Sequence, residues 1–449
     1  MPLSVKHYIN DQSKLLSENQ IIKVRKLKVN FKVKDGLMQA VRSVDLTVYK
    51  GQIIGIVGES GSGKSVCVKS LIGFNDGATT EAENLNLANI DLLKIKKNNW
   101  SYVRGTYVSY IPQDPLMSLN PTKTIGKQVI EAIYVSEKNR YEQRKYDLTS
   151  KLENLKEKLL EERKELDKLL NEKQIDQQMY QEKSLEIDSR LTQETNEFSS
   201  KISEITKEYT TNTKPTNAKN KVIEILEFIG IENAESRLNA YPHEFSGGMR
   251  QRIVIAISVA TRPDVIIADE PTTALDVTIQ AKVLSLIKQL RDVYGITVIF
   301  ISHNIALVAN FCDYVYVMYA GKIVEQGLTE ELFTNPMHPY TWALLASIPE
   351  GNSDKEKLEP IAGTPPNLVT PPKGDAFAAR NKYAIALDFE KQPPLFKITD
   401  THKAATWLLH PKAPKIEIPK EVQAKIKESK KSFEIYAKQK KEERKKLNK

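Results

Sequence analysis

The sequence predicts an α/β protein whose core is a parallel sheet with helices on both faces. Three short apolar runs are typical of buried parallel strands: IIGIVG (53–58), DVIIAD (264–269) and ITVIFIS (296–302). Helix-like segments such as QAKVLSLIKQLRDVYG (280–295) separate strands, and this alternation favours a parallel sheet. Closer to the N-terminus, IIKVRKLKVNFKV (21–33) and QAVRSVDLTV (39–48) are rich in β-branched residues and alternate, which predicts further strands.

The bulk composition describes a large and nearly neutral body with a basic end. The chain has 449 residues and a formal net charge of +9. The segment from Lys420 to Lys449 contains 12 basic and 5 acidic residues and so contributes +7 of that charge. The overall charge is therefore no evidence for a nucleic-acid-binding fold. The tail itself is open to two interpretations: a solvated, frayed helix, or a weak attraction to anionic lipid or RNA.

Cysteine usage and hydropathy give an expectation for the compartment. Cys67 and Cys312 are too few for a disulfide scaffold or a paired metal motif. The N-terminus has no apolar stretch of the kind found in signal peptides, and no run of about 18 apolar residues exists. A reduced, cytoplasmic setting without a membrane-spanning segment is the default expectation.

A segment at 135–218 differs from its surroundings and predicts an inserted coiled-coil hairpin. It is rich in Lys, Glu, Gln and Leu, and its apolar residues recur at spacings of 3, 4 and 7. A polar stretch near QIDQQ separates two arms of about 33 residues, each about 50 Å long if helical. A single, partly disordered charged helix is the alternative. The apolar positions are Leu148, Leu152, Leu155, Leu159, Leu166 and Leu169, then Ile187, Leu191, Phe198 and Ile205.

These changes in amino-acid composition along the chain suggest the domain boundaries. We expect an N-terminal segment at 1–20 and a main domain at 21–335 that is interrupted by the insert. A C-terminal extension at 336–411 contains the Pro-rich stretch EPIAGTPPNLVTPPKG, which is typical of a linker or an extended wrap. The basic tail follows at 412–449.

The strongest chemical signal is the loop GESGSGKS, which fits G-x-x-x-x-G-K-[ST] and directly follows the apolar strand at 53–58. Glycines let backbone N–H groups surround a phosphate, Lys64 can reach the β- and γ-phosphates, and the Ser65 hydroxyl can ligate Mg²⁺. The candidate nucleotide-binding residues are therefore Gly58, Glu59, Ser60, Gly61, Ser62, Gly63, Lys64, Ser65 and Val66.

Polar residues at the ends of other strands complete a candidate hydrolytic site. Asp269 can hold Mg²⁺, and the adjacent Glu270 can orient or deprotonate the attacking water. His303 follows a neighbouring strand and is a candidate γ-phosphate sensor, because ligands bind at the carboxyl ends of parallel strands. Gln113 can ligate Mg²⁺ or the water through its amide.

A second Ser-Gly-Gly element, in EFSGGMRQRIVIA (244–256), stands before a helix and resembles a bed of backbone amides for an anion. GESGSGKS, PQDP, FSGGMRQR, ADEPTTALD and SHN, in this order, resemble the Walker A, Q-loop, signature, Walker B with D-loop, and H-loop of ATP-binding cassette (ABC) ATPases. The resemblance implies that two cassettes pair head to tail. Ser246, Gly247, Gly248 and Gln251 would then act on ATP held by the partner's Walker A.

The same resemblance implies a P-loop NTPase cassette with a parallel-sheet core, an antiparallel β subdomain and a helical subdomain. It implies ATP and Mg²⁺ as ligands, with Ser65, Gln113 and Asp269 around the metal ion, and it places Asp276 in the D-loop. Phe31 stands where the family has an aromatic residue that stacks on adenine, although a core phenylalanine on a strand is equally plausible.

Further blocks resemble the D-type ATP-binding subunit of oligopeptide and dipeptide permeases: VGESGSGKSV, SYIPQDPLMSLNPTKTIGKQVIEAI, YPHEFSGGMRQRIVIA, and the stretch PPKGDAFAARNKYAIALDFEKQPPLF near the C-terminus. That resemblance implies an ATPase subunit of an oligopeptide importer at the cytoplasmic face of the membrane. Its implied partners are an F-type ATPase, two transmembrane permeases and, indirectly, an extracytoplasmic peptide-binding protein. No nucleic-acid partner is expected.

Three departures from the subfamily pattern stand out. The family often has four cysteines for an iron–sulfur cluster in its C-terminal block, and this chain has Asp375, Asn381, Asp388 and Thr406 instead. We therefore expect no cluster there, and a small apolar core formed by Phe377, Tyr383, Leu387, Phe389, Leu395 and Trp407 in its place. In addition, Asn304 replaces the usual aspartate, and Pro112 replaces an aromatic residue.

One alternative function belongs to another class. Chromosome-maintenance ATPases of the SMC and double-strand-break-repair type also insert coiled coils between the Q-loop and the signature. The arms here are short, the signature FSGGMRQR is not a repair-type variant, and the alternative leaves the C-terminal block unexplained. A soluble translation-factor cassette would need two cassettes in one chain.

Overall fold

The computed structural model describes residues 19–96, 99–114, 117–273, 275–348 and 361–447. The chain divides into two compact units. The first comprises Met1–Ser118, Arg250–Ser258 and Pro263–Lys449, and the second comprises Leu119–Met249 and Val259–Arg262. Residues 1–18, most of the predicted N-terminal segment, lie outside the described residues.

The strands of the first unit form two sheets. The described strands are β1 (Gln20–Val33), β2 (Gly36–Tyr49), β3 (Ile53–Val57), β4 (Ala78–Glu81), β5 (Asn84–Leu87), β6 (Ile90–Asp91), β7 (Val108–Ile111), β8 (Val265–Asp269), β9 (Thr297–Ser302), β10 (Tyr314–Tyr319), β11 (Lys322–Leu328), β12 (Phe396–Lys397) and β13 (Lys403–Ala404).

The described α-helices are α1 (Lys64–Lys69), α2 (Trp100–Val103), α3 (Ile125–Asn171), α4 (Gln177–Asn212), α5 (Pro215–Phe228), α6 (Ala234–Arg237), α7 (Gly247–Ala260), α8 (Val277–Tyr294), α9 (Ile305–Phe311), α10 (Thr329–Thr334), α11 (Pro339–Ala346), α12 (Ala386–Glu390) and α13 (Lys420–Leu447).

The predicted parallel core is confirmed. Strands β10, β3, β9, β8 and β7 are neighbours in that order, and every pair among them is parallel. All residues of β3, β8 and β9 are buried, as their continuous apolar sequences predict for a sheet covered on both faces. The antiparallel strands β11, β13 and β12 extend the β10 edge, so the C-terminal extension contributes two short strands to this sheet.

The early strands form the predicted antiparallel part. β1 and β2 pair as a long hairpin, β5 and β6 continue from β1, and β4 pairs with another stretch of β1. Alternate residues of β1 and β2 are buried, among them Ile22, Val24, Val41 and Leu46, which lie in one hydrophobic cluster with residues of β3 and β9. Period-two patterning therefore gives this sheet one buried face.

The coiled-coil hairpin is confirmed in the second unit. Helices α3 and α4 are joined at residues 172–176, and their cross-links pair positions that run in opposite directions: Glu137 with Asn212, Arg144 with Glu208, and Arg163 with Asp188. Such pairing defines an antiparallel hairpin. The buried members of its seam are Leu159, Leu166, Ile187 and Ile205.

Two boundaries differ from the sequence expectation. Helix α3 begins at Ile125, because the N-terminal turns of the helix run without a break into the heptads and bury Ile125, Val129 and Ile133. The second arm ends near Pro215, which occupies the first turn of α5, where a missing N–H costs no hydrogen bond.

The C-terminal part corrects one prediction about packing. Phe377 is buried and its ring contacts those of Tyr319 and Tyr340. Phe389 is 58% exposed and Leu395 is 40% exposed, so these two do not belong to the small core we expected. In the basic tail, Val422 and Lys425 of α13 are buried, so the start of this helix is packed rather than frayed.

Among the described residues, no helix is both long enough and apolar enough to cross a membrane.

Candidate functional site

The phosphate loop lies between β3 and α1, as predicted. Gly63 has a φ of +96°, and a Cβ there would lie 2.4 Å from the carbonyl oxygen of Ala40, so only glycine fits. Lys64 is buried and donates hydrogen bonds to the carbonyl oxygens of Gly58 (2.8 Å) and Glu59 (2.9 Å). Burial lowers the pKa of Lys64, and the carboxylates of Glu270 and Asp269 oppose that shift.

Ser65 and Asp269, far apart in sequence, meet at the start of α1 and the end of β8. The Ser65 hydroxyl donates to Asp269 Oδ1 at 2.8 Å, and the Tyr110 hydroxyl donates to Asp269 Oδ2 at 2.7 Å. Burial, followed by the bond to Asp269, raises the pKa of Tyr110, which keeps this phenol protonated as a donor. Sequence analysis missed Tyr110, whose position in β7 carries no motif.

Three side chains converge on one oxygen of Glu270. Oε2 accepts hydrogen bonds from Gln113 Nε2 at 3.3 Å and from Thr273 Oγ1 at 3.1 Å, and it lies 3.0 Å from His303 Nδ1. The structure thus brings the three predicted catalytic residues, Glu270, His303 and Gln113, together and adds Thr273. Glu270 has a left-handed backbone with φ +48°, which non-glycine residues rarely adopt and which commonly marks a functional site.

A cavity of about 880 Å³ contains these groups, a size typical of ligand sites. The phosphate loop, Gln113, Glu270 and His303 line it, as does Met38 of β2. Residues from 344 onward add a wall formed by Leu344, Ser347, Ile361 and Leu368. Phe31, the candidate adenine-stacking residue, is partly buried against the hydrophobic cluster, and its cross-strand partner Met38 lines the cavity.

The signature residues lie at the start of α7. Ser246 caps this helix by accepting a bond from the Met249 N–H, and both Ser246 and Gly247 are exposed. Gln251 is different, because its side chain is only 1% exposed. Asp276, the predicted D-loop residue, caps α8 by accepting from the Ile279 N–H at 2.9 Å.

Four residues of this chain stand at the positions where the family often has cluster-binding cysteines. Each of them accepts a hydrogen bond from a nearby backbone N–H. All four residues are buried, and these bonds stabilise local turns. The pairs are Asp375 with Phe377, Asn381 with Tyr383, Asp388 with Ile385, and Thr406 with Leu408. Asn304 likewise caps α9, which shows how asparagine replaces the usual aspartate there.

Comparison with known proteins identifies the family to which the chain belongs. The profile described as ABC transporter matches residues 41–273, more than half of the chain. The chain belongs to the ABC transporter family. A second profile, described as the C-terminal region of oligopeptide/dipeptide transporters, matches residues 324–386. The ABC match contains the Walker A loop, the signature and Glu270, and the second match contains Arg380 and Phe377.

The ABC relatives are similar over nearly the full chain. An oligopeptide transport ATP-binding protein of Mycoplasma genitalium is 58% identical over 97% of this chain and 99% of its own length. Its counterpart from Bacillus subtilis is 40% identical over 94% of this chain and 98% of its own length. A dipeptide transport ATP-binding protein of Lactococcus lactis is 40% identical over 89% of this chain and 94% of its own length. As a member of this family, the chain is an ABC ATPase.

Proposed function

We propose that this chain is the ATP-hydrolysing subunit of an ABC importer for oligopeptides. The observation that carries the proposal is the combination of the candidate hydrolytic residues around Glu270 with a C-terminal region that matches oligopeptide/dipeptide transporters, in a chain that is 58% identical to an oligopeptide transport ATP-binding protein over 97% of its length. A cassette of any transporter class would have the hydrolytic site. The C-terminal region is what narrows the class of transported substrate.

The donor set fits Mg²⁺. Ser65 and Asp269 are hydrogen-bonded and offer hard oxygens, and Gln113 adds an amide nearby. Mg²⁺ commonly binds through one or two protein oxygens together with the phosphates of its substrate, so Ser65 and Asp269 would be sufficient protein ligands. When bound with ATP, Mg²⁺ neutralises charge on the phosphates.

The chain's own residues account for the hydrolytic step. Lys64 can exchange its bonds to Gly58 and Glu59 for bonds to the β- and γ-phosphates of ATP. Glu270 Oε2 can accept a proton from the attacking water, and His303, Gln113 and Thr273 fix the direction of that carboxylate. Positioning and charge stabilisation provide most of the catalysis in phosphoryl transfer, so a fixed Glu270 is the central requirement.

The partners follow from the same proposal. The exposed Ser246 and Gly247 would face the ATP of a second, F-type cassette in a head-to-tail dimer, and closure of this dimer would drive two transmembrane permeases. An extracytoplasmic binding protein would supply the peptide. The chain would then lie at the cytoplasmic face of the membrane as a peripheral subunit.

Affinity purification of the tagged chain from detergent-solubilised membranes tests the proposal. We expect two permeases and a second cassette in stoichiometric amounts. Recovery of chromosome-maintenance proteins and DNA, with no permease, would support the coiled-coil ATPase alternative and overturn the transport assignment.

A further inference from the structure

Arg380 of the C-terminal extension is bound to the phosphate loop. Its guanidinium forms a two-point ion pair with Glu59: Nη1 lies 2.6 Å from Oε2, and Nη2 lies 3.0 Å from Oε1. The Arg380 side chain is only 5% exposed, and Glu59 is the second residue of GESGSGKS. Two parallel charge-assisted bonds fix orientation as well as distance, so the pair restrains the loop geometrically.

Arg380 is itself held in place from several sides. It donates to the Tyr319 hydroxyl at 3.1 Å and to the carbonyl oxygens of Ala362 and Ile361 at 2.8 and 2.9 Å. Two successive carbonyl groups of the extension therefore bind the guanidinium. Because Nε, Nη1 and Nη2 all donate hydrogen bonds, the Arg380 side chain is held in one rotamer. A side chain fixed in this way also fixes the position of the Glu59 carboxylate that it binds.

A second contact reaches the backbone of the same loop residue. The N–H of Glu59 donates to the Tyr340 hydroxyl at 2.7 Å, and the ring of Tyr340 packs against those of Tyr319 and Phe377. The carbonyl oxygen of Glu59 accepts from Lys64. The side chain and the N–H of Glu59 are thus both bound by residues of the extension, Arg380 and Tyr340.

The extension also supplies an apolar wall. Ile361 and Leu368 line the nucleotide cavity together with Met38, and the Gln39 N–H donates to the Leu368 carbonyl at 2.9 Å, which fixes that wall to β2. The phosphate loop and the catalytic side chains are the polar part of the cavity lining, so this wall suits the flat apolar face of a nucleobase.

We propose that the C-terminal extension completes the ATP site: Arg380 is a positioning residue that holds the Walker A loop through Glu59, and Leu368 contacts the base. In this account Glu59 is an anchor of the loop and not a ligand of phosphate. The inference rests on the proposed nucleotide site and is independent of the transported substrate.

Calorimetric titration of the full-length purified chain tests it, with MgATP and with magnesium tripolyphosphate, which has no base. We expect Arg380→Gln and Glu59→Gln each to weaken the binding of both ligands by roughly tenfold, the loss typical of one charge-assisted contact. The double variant should be little weaker than either single variant, because both substitutions break the same contact. Arg380→Lys should restore part of the affinity, as it keeps the charge but not the two-point geometry.

Leu368→Ala tests the proposed contact with the base in the same calorimetric experiment. It should weaken MgATP binding by a few fold and leave tripolyphosphate binding unchanged. Arg291→Gln is the matched control, since it breaks an ion pair with Asp313 in the same unit that does not line the cavity. It should lower the thermal midpoint without changing either affinity.

The results distinguish failure of the proposed function from failure of the role proposed for Arg380. If the parent chain binds no MgATP, the proposed function itself fails. If the parent binds MgATP and the folded Arg380→Gln or Glu59→Gln variants bind it equally well, or their effects simply add, the positioning role is overturned. Should Arg380→Gln fail to fold, Glu59→Gln decides, because Glu59 is partly exposed. Equal loss of both ligands in Leu368→Ala overturns the base contact.

Discussion

At the residue scale, the decisive group is the carboxylate of Glu270. Its Oε2 atom is held by Gln113, Thr273 and His303, and its backbone lies in the left-handed region. Such strain costs on the order of 1–3 kcal/mol and persists only where surrounding contacts impose it. The structure therefore fixes the direction of one carboxylate oxygen next to the phosphate loop.

Glu270→Gln should preserve ATP binding and slow hydrolysis by at least about 100-fold, because the amide cannot accept the proton of the water. In the presence of the second cassette, the variant should accumulate as a closed dimer with ATP. Steady-state ATPase assays and size-exclusion chromatography measure both effects. Lys64→Ala is the contrasting variant and should weaken ATP binding itself. Hydrolysis at the parental rate in Glu270→Gln would show that the catalytic assignment is wrong.

Ser246 tests the head-to-tail arrangement. Ser246→Phe should leave ATP binding at this chain's own phosphate loop intact but reduce hydrolysis at the site that contains the partner's Walker A. Mixed dimers in which one cassette at a time is altered provide the measurement. Ser236→Phe, at another exposed serine of the same unit, is the control. Loss of ATP binding by the isolated Ser246→Phe chain would contradict the arrangement.

Cys67 should resist alkylation although it lies in α1, directly after the phosphate loop. Its side chain is 1% exposed, and burial raises its pKa to about 12, so the reactive thiolate is scarce at pH 8. Treatment with iodoacetamide at pH 8, followed by mass spectrometry and an ATP-binding assay, should show no modification and no loss of binding. The same reagent should alkylate the denatured chain. Rapid alkylation of the folded chain would mean that α1 opens readily.

At the element scale, the hairpin of α3 and α4 stabilises itself. Its seam buries leucines and isoleucines, and a stacked pair, Tyr141 and Tyr209, with ring centres 4.8 Å apart, lies near its base. Arg140 donates to the carbonyl of Thr261, a contact within the second unit that lies outside the coiled coil. None of the residues that line the cavity at the phosphate loop lies between 140 and 212.

Replacing residues 146–204 with a short Gly/Ser linker should therefore preserve ATP binding and basal ATPase activity. The cut keeps Arg140 and the Tyr141–Tyr209 stack, so the remaining helical stubs retain their base. We expect the lost function to be a contact with another protein or subunit. Circular dichroism and ATPase assays are sufficient to measure the result. A folded deletion variant without basal ATPase activity would show that the hairpin is part of the hydrolytic machinery.

The C-terminal block, at 375–406, should contain no iron–sulfur cluster. Asp375, Asn381, Asp388 and Thr406 are engaged with backbone N–H groups and offer no thiolate, which iron–sulfur clusters require. The purified protein should be colourless, with no iron by elemental analysis and no absorbance band near about 400 nm. Stoichiometric iron that survives purification would contradict the assignment of these four positions.

At the scale of the whole molecule, the sequence predicts the parts with local signatures and misses those that depend on distant contacts. The buried strands β3, β8 and β9, the phosphate loop and the polar residues at the strand ends follow from hydrophobic runs and motifs that are short and local, whereas the order of the strands in the sheet does not. The ion pair between Glu59 and Arg380 joins residues 321 positions apart, and no local pattern marks it.

Two residues of the C-terminal extension were wrongly predicted to be buried. Phe389 and Leu395 were expected in a small core on hydrophobicity alone, yet 58% of the surface of Phe389 and 40% of that of Leu395 are exposed. Hydrophobicity does not show which side of a short, irregular segment faces the protein, since such segments lack the periodicity of helices and strands. Gln251 is a second such case, because the signature sequence does not show that this polar residue is buried while Ser246 and Gly247 are exposed.

The central claim is that ATP hydrolysis at this site drives oligopeptide uptake. The most direct measurement is accumulation of a labelled pentapeptide by cells in which this chain, or its Glu270→Gln variant, is the sole peptide-importer ATPase of its type. Cells with the parent chain should accumulate the peptide, cells with the variant should not, and both should take up free amino acids equally. Equal peptide accumulation in both strains would contradict the account.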